Sequence, residues 1–348
     1  MQTHDEVIGY VGLIARGDQI EVITHGVRER DNSPVQRDSI FRISSVTKLF
    51  TAATMLRLAD DGIVDLAAPV ERYVPELANR RVLRTVESEL DDTVPITRSP
   101  TVKELLTFTW GFGMVMRMPG ATPIQRAYQS LPLCQGEPPM PRKYAPPDEW
   151  IRAFATLPMI HQPGAQWMYH TGAEVAGIVI ARAAGKSLGE VMHDRIFEPL
   201  GLRDTGFRVT KRDRFTAQYD HENKLVDPID GEWMQPIPFE SGGGGLVSTV
   251  DDLLAFGRAL RDDARLAEIH RDQLTAEQRA VSDFVGHFEA NSWGLCCSVY
   301  GDGSWGWDGG LGQVFRVTRS GTIGVLLTNK GFGSPVYPAV VTDFLAGV

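Results

Sequence analysis

Apolar and polar positions change their period several times along the chain. Near the start, two β-rich runs, Val7 to Ala15 and Ile20 to Thr24, flank the turn-forming Arg16-Gly17-Asp18, which predicts an opening hairpin. From Ser45 to Asp61 the apolar residues Val46, Leu49, Phe50, Ala53, Leu56 and Leu58 fall mostly three and four apart, and Gly62 supplies a stop. This spacing predicts a largely buried helix that begins at or near Ser45. Between residues 65 and 235, helical patterns such as Thr101 to Leu106 and Gly172 to Ala184 alternate with Pro-rich connections, notably Pro132 to Pro147. After the glycine run Gly242 to Gly245, a helix is expected over Val250 to Leu260. Then come β-like runs Ser292 to Tyr300, Gln313 to Thr318 and Thr322 to Thr328, and a last helix at about Pro335 to Phe344.

Sheet-forming segments at both ends with helices between them predict an α+β fold. Residues 1–66 and 236–348 would pair into one antiparallel sheet flanked by terminal helices. Residues 67–235 would form an inserted, mainly helical domain, and an active cleft forms readily at such a junction. There is no internal repeat and no low-complexity segment.

Composition narrows the function classes. With 348 residues, 43% of them hydrophobic, the chain can fill the cores of two lobes. A formal charge of −9, from 35 basic and 44 acidic side chains with no long run of either sign, leaves no footprint for nucleic acid or an anionic membrane. A small-molecule partner is expected. No stretch approaches the ~18 apolar residues of a membrane span, and Met1 to Glu6 lacks a basic region followed by an apolar one, so a cytoplasmic protein is expected. Cys134, Cys296 and Cys297 are an odd set whose adjacent pair would bridge only with strain, which argues against a disulfide framework.

Three places could carry chemistry. Ser45-Val46-Thr47-Lys48 is a Ser-x-x-Lys at a predicted helix start, where residues three apart share a face and their side chains can touch. A serine hydroxyl needs a neighbouring base, a lysine among apolar residues has its charged form disfavoured, and a helix N-terminus adds amide donors. About one such match is nonetheless expected by chance in a chain this long, and an N-cap serine with a solvated lysine is the plainer alternative. Tyr169, in Trp167-Met168-Tyr169-His170-Thr171-Gly172, could relay a proton if Lys48 stabilised its phenolate, although a lone tyrosine before a helix more often serves packing. His170 invites a Ser-His-Asp arrangement, but no aspartate partner is marked, and a surface or loop histidine is expected. The glycine-dense Trp305-Gly306-Trp307-Asp308-Gly309-Gly310-Leu311-Gly312 would let a substrate approach backbone, where a free amide can act as an oxyanion donor; alternatively it is an irregular entry to the strand at Gln313. Gly-x-Ser-x-Gly, His-Glu-x-x-His, a P-loop and paired Cys-x-x-Cys are all missing, so no metal, nucleotide or other cofactor is implied.

In their order and spacing these pieces resemble the serine β-lactamase and penicillin-binding-protein superfamily in the broad sense: class C β-lactamases, D,D-peptidases and, closest in motif, family VIII carboxylesterases. Gly62-Ile63-Val64-Asp65-Leu66-Ala67-Ala68-Pro69-Val70, Leu105-Leu106-Thr107-Phe108-Thr109-Trp110-Gly111 and Gly243-Gly244-Gly245-Leu246-Val247-Ser248-Thr249 carry the likeness across nearly the whole chain. The resemblance implies that Ser45 attacks a carbonyl and that Lys48 and Tyr169 together accept its proton and pass it to the leaving group. It further implies an oxyanion hole from the amides of Ser45 and Gly310. Trp110, Thr171, Trp307, Asp308 and Gly309 would line the substrate pocket.

Two departures bear on the substrate. Tyr169-His170-Thr171 stands where β-lactamases carry Tyr-x-Asn, and Trp307-Asp308-Gly309 stands where they carry Lys-Thr-Gly. An indole and an acid replacing that cation resemble the esterase branch and should favour neutral acyl groups over anionic carboxylates. Ester hydrolysis is therefore the leading expectation. A β-lactamase or D-aminopeptidase-like activity, with Arg316 or Arg319 replacing the missing cation, and acyl transfer are the enzymatic alternatives. A catalytically silent binding protein is the alternative from another class.

Overall fold

The computed structural model describes residues 7–30, 33–133, 140–284, 286–333 and 338–348. Its main sheet has seven antiparallel strands: β1 (Gly9–Arg16), β2 (Gln19–Gly26), β3 (Ser292–Trp293), β4 (Ser298–Val299), β5 (Trp305–Gly309), β6 (Gln313–Val317) and β7 (Ile323–Thr328). Their spatial order is β2-β1-β7-β6-β5-β4-β3, so the first and last strands of the chain are neighbours, with Tyr10 opposite Thr328 and Ala15 opposite Ile323.

The opening hairpin forms as the pattern predicts. Arg16 pairs with Gln19 around a two-residue loop, and Gly17 takes the positive φ of +61° that such a loop requires. β1 is buried on both faces, which is why its sequence runs apolar instead of alternating. Tyr10 and Ile14 pack with Val340, Val341 and Phe344 of the closing helix. On the opposite face Val11, Leu13 and Ala15 join the main core, which also takes in the helices Thr47–Asp60 and Val250–Asp262.

Three expectations for the C-terminal part are corrected. The run Ser292 to Tyr300 is not one strand: it folds back on itself as β3 and β4, pairing Trp293 with Ser298 around a tight turn in which Cys296 has φ +54°. The first part of the glycine-dense motif, Trp305–Gly309, is itself the strand β5, in which Gly306 lets the backbone of Phe315 approach to within 2.0 Å of where a Cβ would stand, and the rest is the turn into β6. The closing helix spans Ala339–Gly347, after Pro338. Pro335, Cys134 and part of the Pro-rich stretch lie outside the described residues.

The intervening segment supplies the helices Val102–Thr107 and Thr171–Ala184. A capping box starts the first: Thr101 accepts from the Glu104 amide, and Glu104 accepts in return from the Thr101 amide. The two helices cross closely because Gly172 has no Cβ; one would lie 2.3 Å from the Leu105 carbonyl oxygen. Further on, Thr216 and Tyr219 donate backbone hydrogen bonds to Ile40 and Asn329, tying this stretch to the sheet layer. No helix among the described residues is long and apolar enough to cross a membrane.

Candidate active site

Ser45 lies in a 3-10 turn, Ser44–Val46, that leads directly into the Thr47–Asp60 helix. The residue before it, Ser44, has φ +44°, an uncommon conformation for a side chain bearing Cβ and a local strain at the position that aims Ser45. Lys48 follows one turn later and is fully buried, whereas Ser45 keeps 8% of its surface exposed. Its Nζ lies 2.9 Å from the Ser45 Oγ and 2.5 Å from the carbonyl oxygen of Gly243, donating to both.

Tyr169, just before the Thr171–Ala184 helix, reaches the same hydroxyl. Its Oη is 2.9 Å from Ser45 Oγ, and the Lys48 Nζ sits 4.7 Å from the centre of its ring. The structure thus brings together Ser45, Lys48 and Tyr169, which are 124 residues apart at the widest. Trp307 of β5 adds a contact that sequence reasoning missed: its indole Nε1 donates to the Tyr169 oxygen at 2.7 Å. An indole N–H can only donate, so it favours whichever protonation state places more negative charge on that oxygen. The ring is wedged between Tyr169, 5.5 Å away, and Trp293, 4.7 Å away edge-on.

Gly309 packs against the turn that carries the serine. A Cβ on Gly309 would stand 2.9 Å from the Ile43 carbonyl oxygen and 3.1 Å from the Ser44 Cβ, so only glycine lets the end of β5 pass this close to the serine-bearing turn. Gly310 follows in the turn between β5 and β6, where its carbonyl accepts from Phe332.

Other expected pocket residues sit elsewhere. Trp110 does not reach the cleft: its side chain is fully buried, 5.6 Å from Phe154 and 6.2 Å from Phe112, because the apolar face around it belongs to the core. Thr171 is 1% exposed as the first residue of its helix, so it cannot form an open wall either. Asp308 is not a bare carboxylate: the Arg316 guanidinium lies 3.4 Å from it and stacks 3.7 Å over the Tyr300 ring. The charge of Asp308 is therefore balanced by Arg316, and Arg316 is in turn engaged. Arg319 packs its stem near Gly303, at the hairpin end of β6.

His170 departs from the expected loop histidine. Its side chain is 30% exposed, and its Nε2 lies 3.2 Å from Glu174 Oε1. The partner is a glutamate one helical turn on, a spacing that could have found it. A mixed aromatic wall, Phe284, His287 and Phe288, packs beside Trp307 and Trp167, with burial holding His287 down at a pKa of about 4, assisted by Arg316. For metals, the described residues offer one group, His193, Asp194 and Glu198, but it is largely exposed and Asp194 is ion-paired with Lys186 at 2.6 Å.

A family model described as beta-lactamase matches residues 1–343 of the chain. Among curated proteins, the chain is 33% identical to Protein Rv1367c of Mycobacterium tuberculosis (strain ATCC 25618 / H37Rv), over 86% of this chain and 80% of that one. It is 28% identical to esterase EstB of Burkholderia gladioli, over 94% of this chain and 87% of the other. Among solved structures it is similar to EstCE1, described as a hydrolase with promiscuous acyltransferase activity, with a TM-score of 0.76, 23% identity and coverage of 97% and 93% of the two chains.

Proposed function

This chain belongs to the beta-lactamase family, and from that premise we propose that it is a serine hydrolase that turns over small or medium neutral esters through an acyl-enzyme on Ser45. One observation carries the reading: a single hydroxyl, Ser45 Oγ, stands 2.9 Å from both Lys48 Nζ and Tyr169 Oη. That is hydrogen-bond reach for a nucleophile and its base.

The chemistry follows from these positions. Ser45 Oγ attacks the acyl carbonyl, its proton passes into the coupled Lys48–Tyr169 pair, and the carbonyl oxygen, now negative, is received by the amides of Ser45 and Gly310. Each such donor typically contributes about 3 kcal/mol to the transition state. The pair then protonates the departing alcohol. Water, activated by the same pair, attacks the acyl-enzyme and releases the acid. Hydrogen bonds from Trp307 to Tyr169 and from Lys48 to Gly243 keep the two proton carriers in place.

Ester over β-lactam is supported by the similarity to EstB and by the wall at Trp307-Asp308-Gly309. There the nearby cation, Arg316, is engaged with Asp308 and Tyr300, so a substrate carboxylate finds no ready partner. Acyl transfer to an alcohol is the second reading, favoured by the likeness to EstCE1. It differs only in which hydroxyl attacks the acyl-enzyme, so product partitioning between water and added alcohols separates the two.

The test is kcat/KM for p-nitrophenyl butyrate and nitrocefin with wild type and Ser45→Ala. A strong preference for the ester, lost in Ser45→Ala, is the expected result. A higher kcat/KM for nitrocefin, or undiminished turnover by Ser45→Ala, refutes the substrate class or the nucleophile respectively.

A further inference from the structure

The Lys48 ammonium is buried, and the two groups it donates to, the Ser45 hydroxyl and the Gly243 carbonyl, are both neutral. An ammonium in that setting is expensive unless an anion compensates it. Glu174, in the first turn of the Thr171–Ala184 helix and 2% exposed, is a buried carboxylate whose charged form Lys48 favours electrostatically. Its Oε1 accepts from the Ser241 hydroxyl at 2.7 Å and from His170 Nε2 at 3.2 Å, and its Oε2 is buried with no hydrogen-bond partner among the described residues.

The same residues touch the lysine's acceptor. Gly243 is so closely clamped that a Cβ there would stand 2.5 Å from Glu174 Oε1 and 2.9 Å from His170 Cε1. Glu174 and His170 therefore hold the glycine whose carbonyl receives Lys48. His170 does this at φ +80° and ψ −64°, a region that favours glycine and carries roughly 1–3 kcal/mol of strain in other residues. Strain retained beside Tyr169 points to work done by the imidazole.

Charge states are consistent with this. Burial raises the Glu174 carboxyl, but His170, Ser241 and Lys48 together bring it below the ordinary range. Burial and then Lys48 hold His170 below the ordinary histidine range, against the pull of Glu174. An ionised Glu174 thus faces a neutral His170 at neutral pH. Other titratable groups nearby are Tyr169, next to His170, and Cys296 from the β3–β4 turn, whose thiol burial pushes far up so that it stays neutral. The carboxylate of Glu240, adjacent to Ser241, accepts instead from the Gly189 amide.

We propose that His170 and Glu174 are a positioning pair for the ester hydrolysis assigned above: Glu174 balances the charge of Lys48, His170 holds the Gly243 carbonyl against it, and together they set the pH at which Ser45 becomes competent. The proposal rests on the reading of Ser45 as nucleophile.

A negative charge stabilises the protonated form of any base beside it, so its removal moves the acidic limb of kcat/KM to lower pH whichever of Lys48 and Tyr169 is the operative base. Glu174→Gln keeps the shape and loses the charge; the expected shift is about one pH unit. Glu174→Asp restores the charge and should bring the limb back, with a lower kcat. His170→Lys, at a 30%-exposed position, cancels the same charge without altering the Glu174 side chain, and should move the limb in the same direction even if Glu174→Gln does not fold. A purely structural role lowers kcat and Tm in these variants but leaves the limb where it was. A limb within about 0.2 unit of wild type in the charge-cancelling variants that fold overturns the proposal. Ser45→Ala run alongside separates the two failures: undiminished turnover there sinks the nucleophile, whereas a dead Ser45→Ala with an immobile limb sinks only the positioning pair.

Discussion

Replacing Trp307 by phenylalanine removes the indole N–H and its hydrogen bond from the site while leaving a smaller aromatic ring in place. In the structure the indole N–H is 2.7 Å from the Tyr169 oxygen, and that oxygen is 2.9 Å from Ser45. If the bond only held a neutral phenol in position, its loss would remove about 0.5–1.5 kcal/mol. If the phenolic oxygen gains negative charge as it takes the serine proton, the bond is charge-assisted in the transition state and contributes roughly 1.5–3 kcal/mol. The second case corresponds to a fall in kcat of about 10- to 150-fold, with KM for a small ester changing far less, since the edge-on contact with Trp293 is largely kept. Steady-state kinetics with p-nitrophenyl butyrate read this directly. A double-mutant cycle sharpens it: in a Tyr169→Phe background there is no oxygen to receive the N–H, so adding Trp307→Phe should cost little more. A kcat within twofold of wild type, or the same fractional loss in both backgrounds, would show that Trp307 only forms a wall and that the argument from the indole is wrong.

Other perturbations test the scaffold around this contact. Asp227→Ala leaves the 1%-exposed Arg42 guanidinium without its counter-ion, two residues before Ser44, and should destabilise the fold by about 3–5 kcal/mol, read as a lowered Tm. Gly309→Ala drives a methyl group against the Ile43 carbonyl oxygen at 2.9 Å and the Gln313 Oε1 at 2.5 Å; the expected result is a folded protein with kcat/KM down by about 100-fold, and wild-type activity would refute the close-approach argument. His287, whose folded pKa of about 4 lies below its ordinary 6.5, resists protonation in the fold but not in the unfolded chain. Its contribution to stability is thus present above pH 6.5 and lost as pH falls towards 4, so His287→Phe should flatten the decline of Tm across that window.

The parts of this architecture that could be read from sequence are those in which one local pattern decides the outcome. The hairpin around Gly17 follows from a turn signal between two β-rich runs, the buried helix after Ser45 from its spacing and the stop at Gly62, and the helix Thr171–Ala184 from its helical pattern. β5 was hidden because its glycines are there for close approach: Gly306 admits the Phe315 backbone and Gly309 the serine turn, yet in one dimension glycine density indicates a loop. Trp110 was misplaced for the opposite reason, since an aromatic beside a glycine in a cleft-shaping segment looks like a wall until the core that surrounds it is known. Of the two groups to which Lys48 donates, Ser45 was legible from its spacing, but Gly243 was not, because it contributes a carbonyl, which no side-chain pattern records. His170 with Glu174 was legible in principle, four residues apart at a helix start, but only as a pair; each alone is unremarkable.

Substrate charge is the property on which sequence and structure give different physics for the same conclusion. From sequence, the loss of the Lys-Thr-Gly cation and the acid at position 308 act together against an anionic substrate. In the structure Asp308 and Arg316 lie on adjacent strands with 9% and 12% of their side chains exposed, and they neutralise one another beside the Tyr300 ring. On the proposed reading the wall presented to a substrate is close to neutral, and discrimination against a carboxylate would arise from the engagement of Arg316 instead of from repulsion. The two mechanisms differ in their response to salt. Repulsion between a charged wall and a charged substrate is screened as ionic strength rises, whereas the missing ion pair and the desolvation of a carboxylate against Trp307 are local and nearly unaffected. On the structural account, the preference for neutral over anionic esters of equal size should hold almost constant between low and high salt, and a preference that collapses at high salt would return the carboxylate of Asp308 to the role its sequence position first suggested.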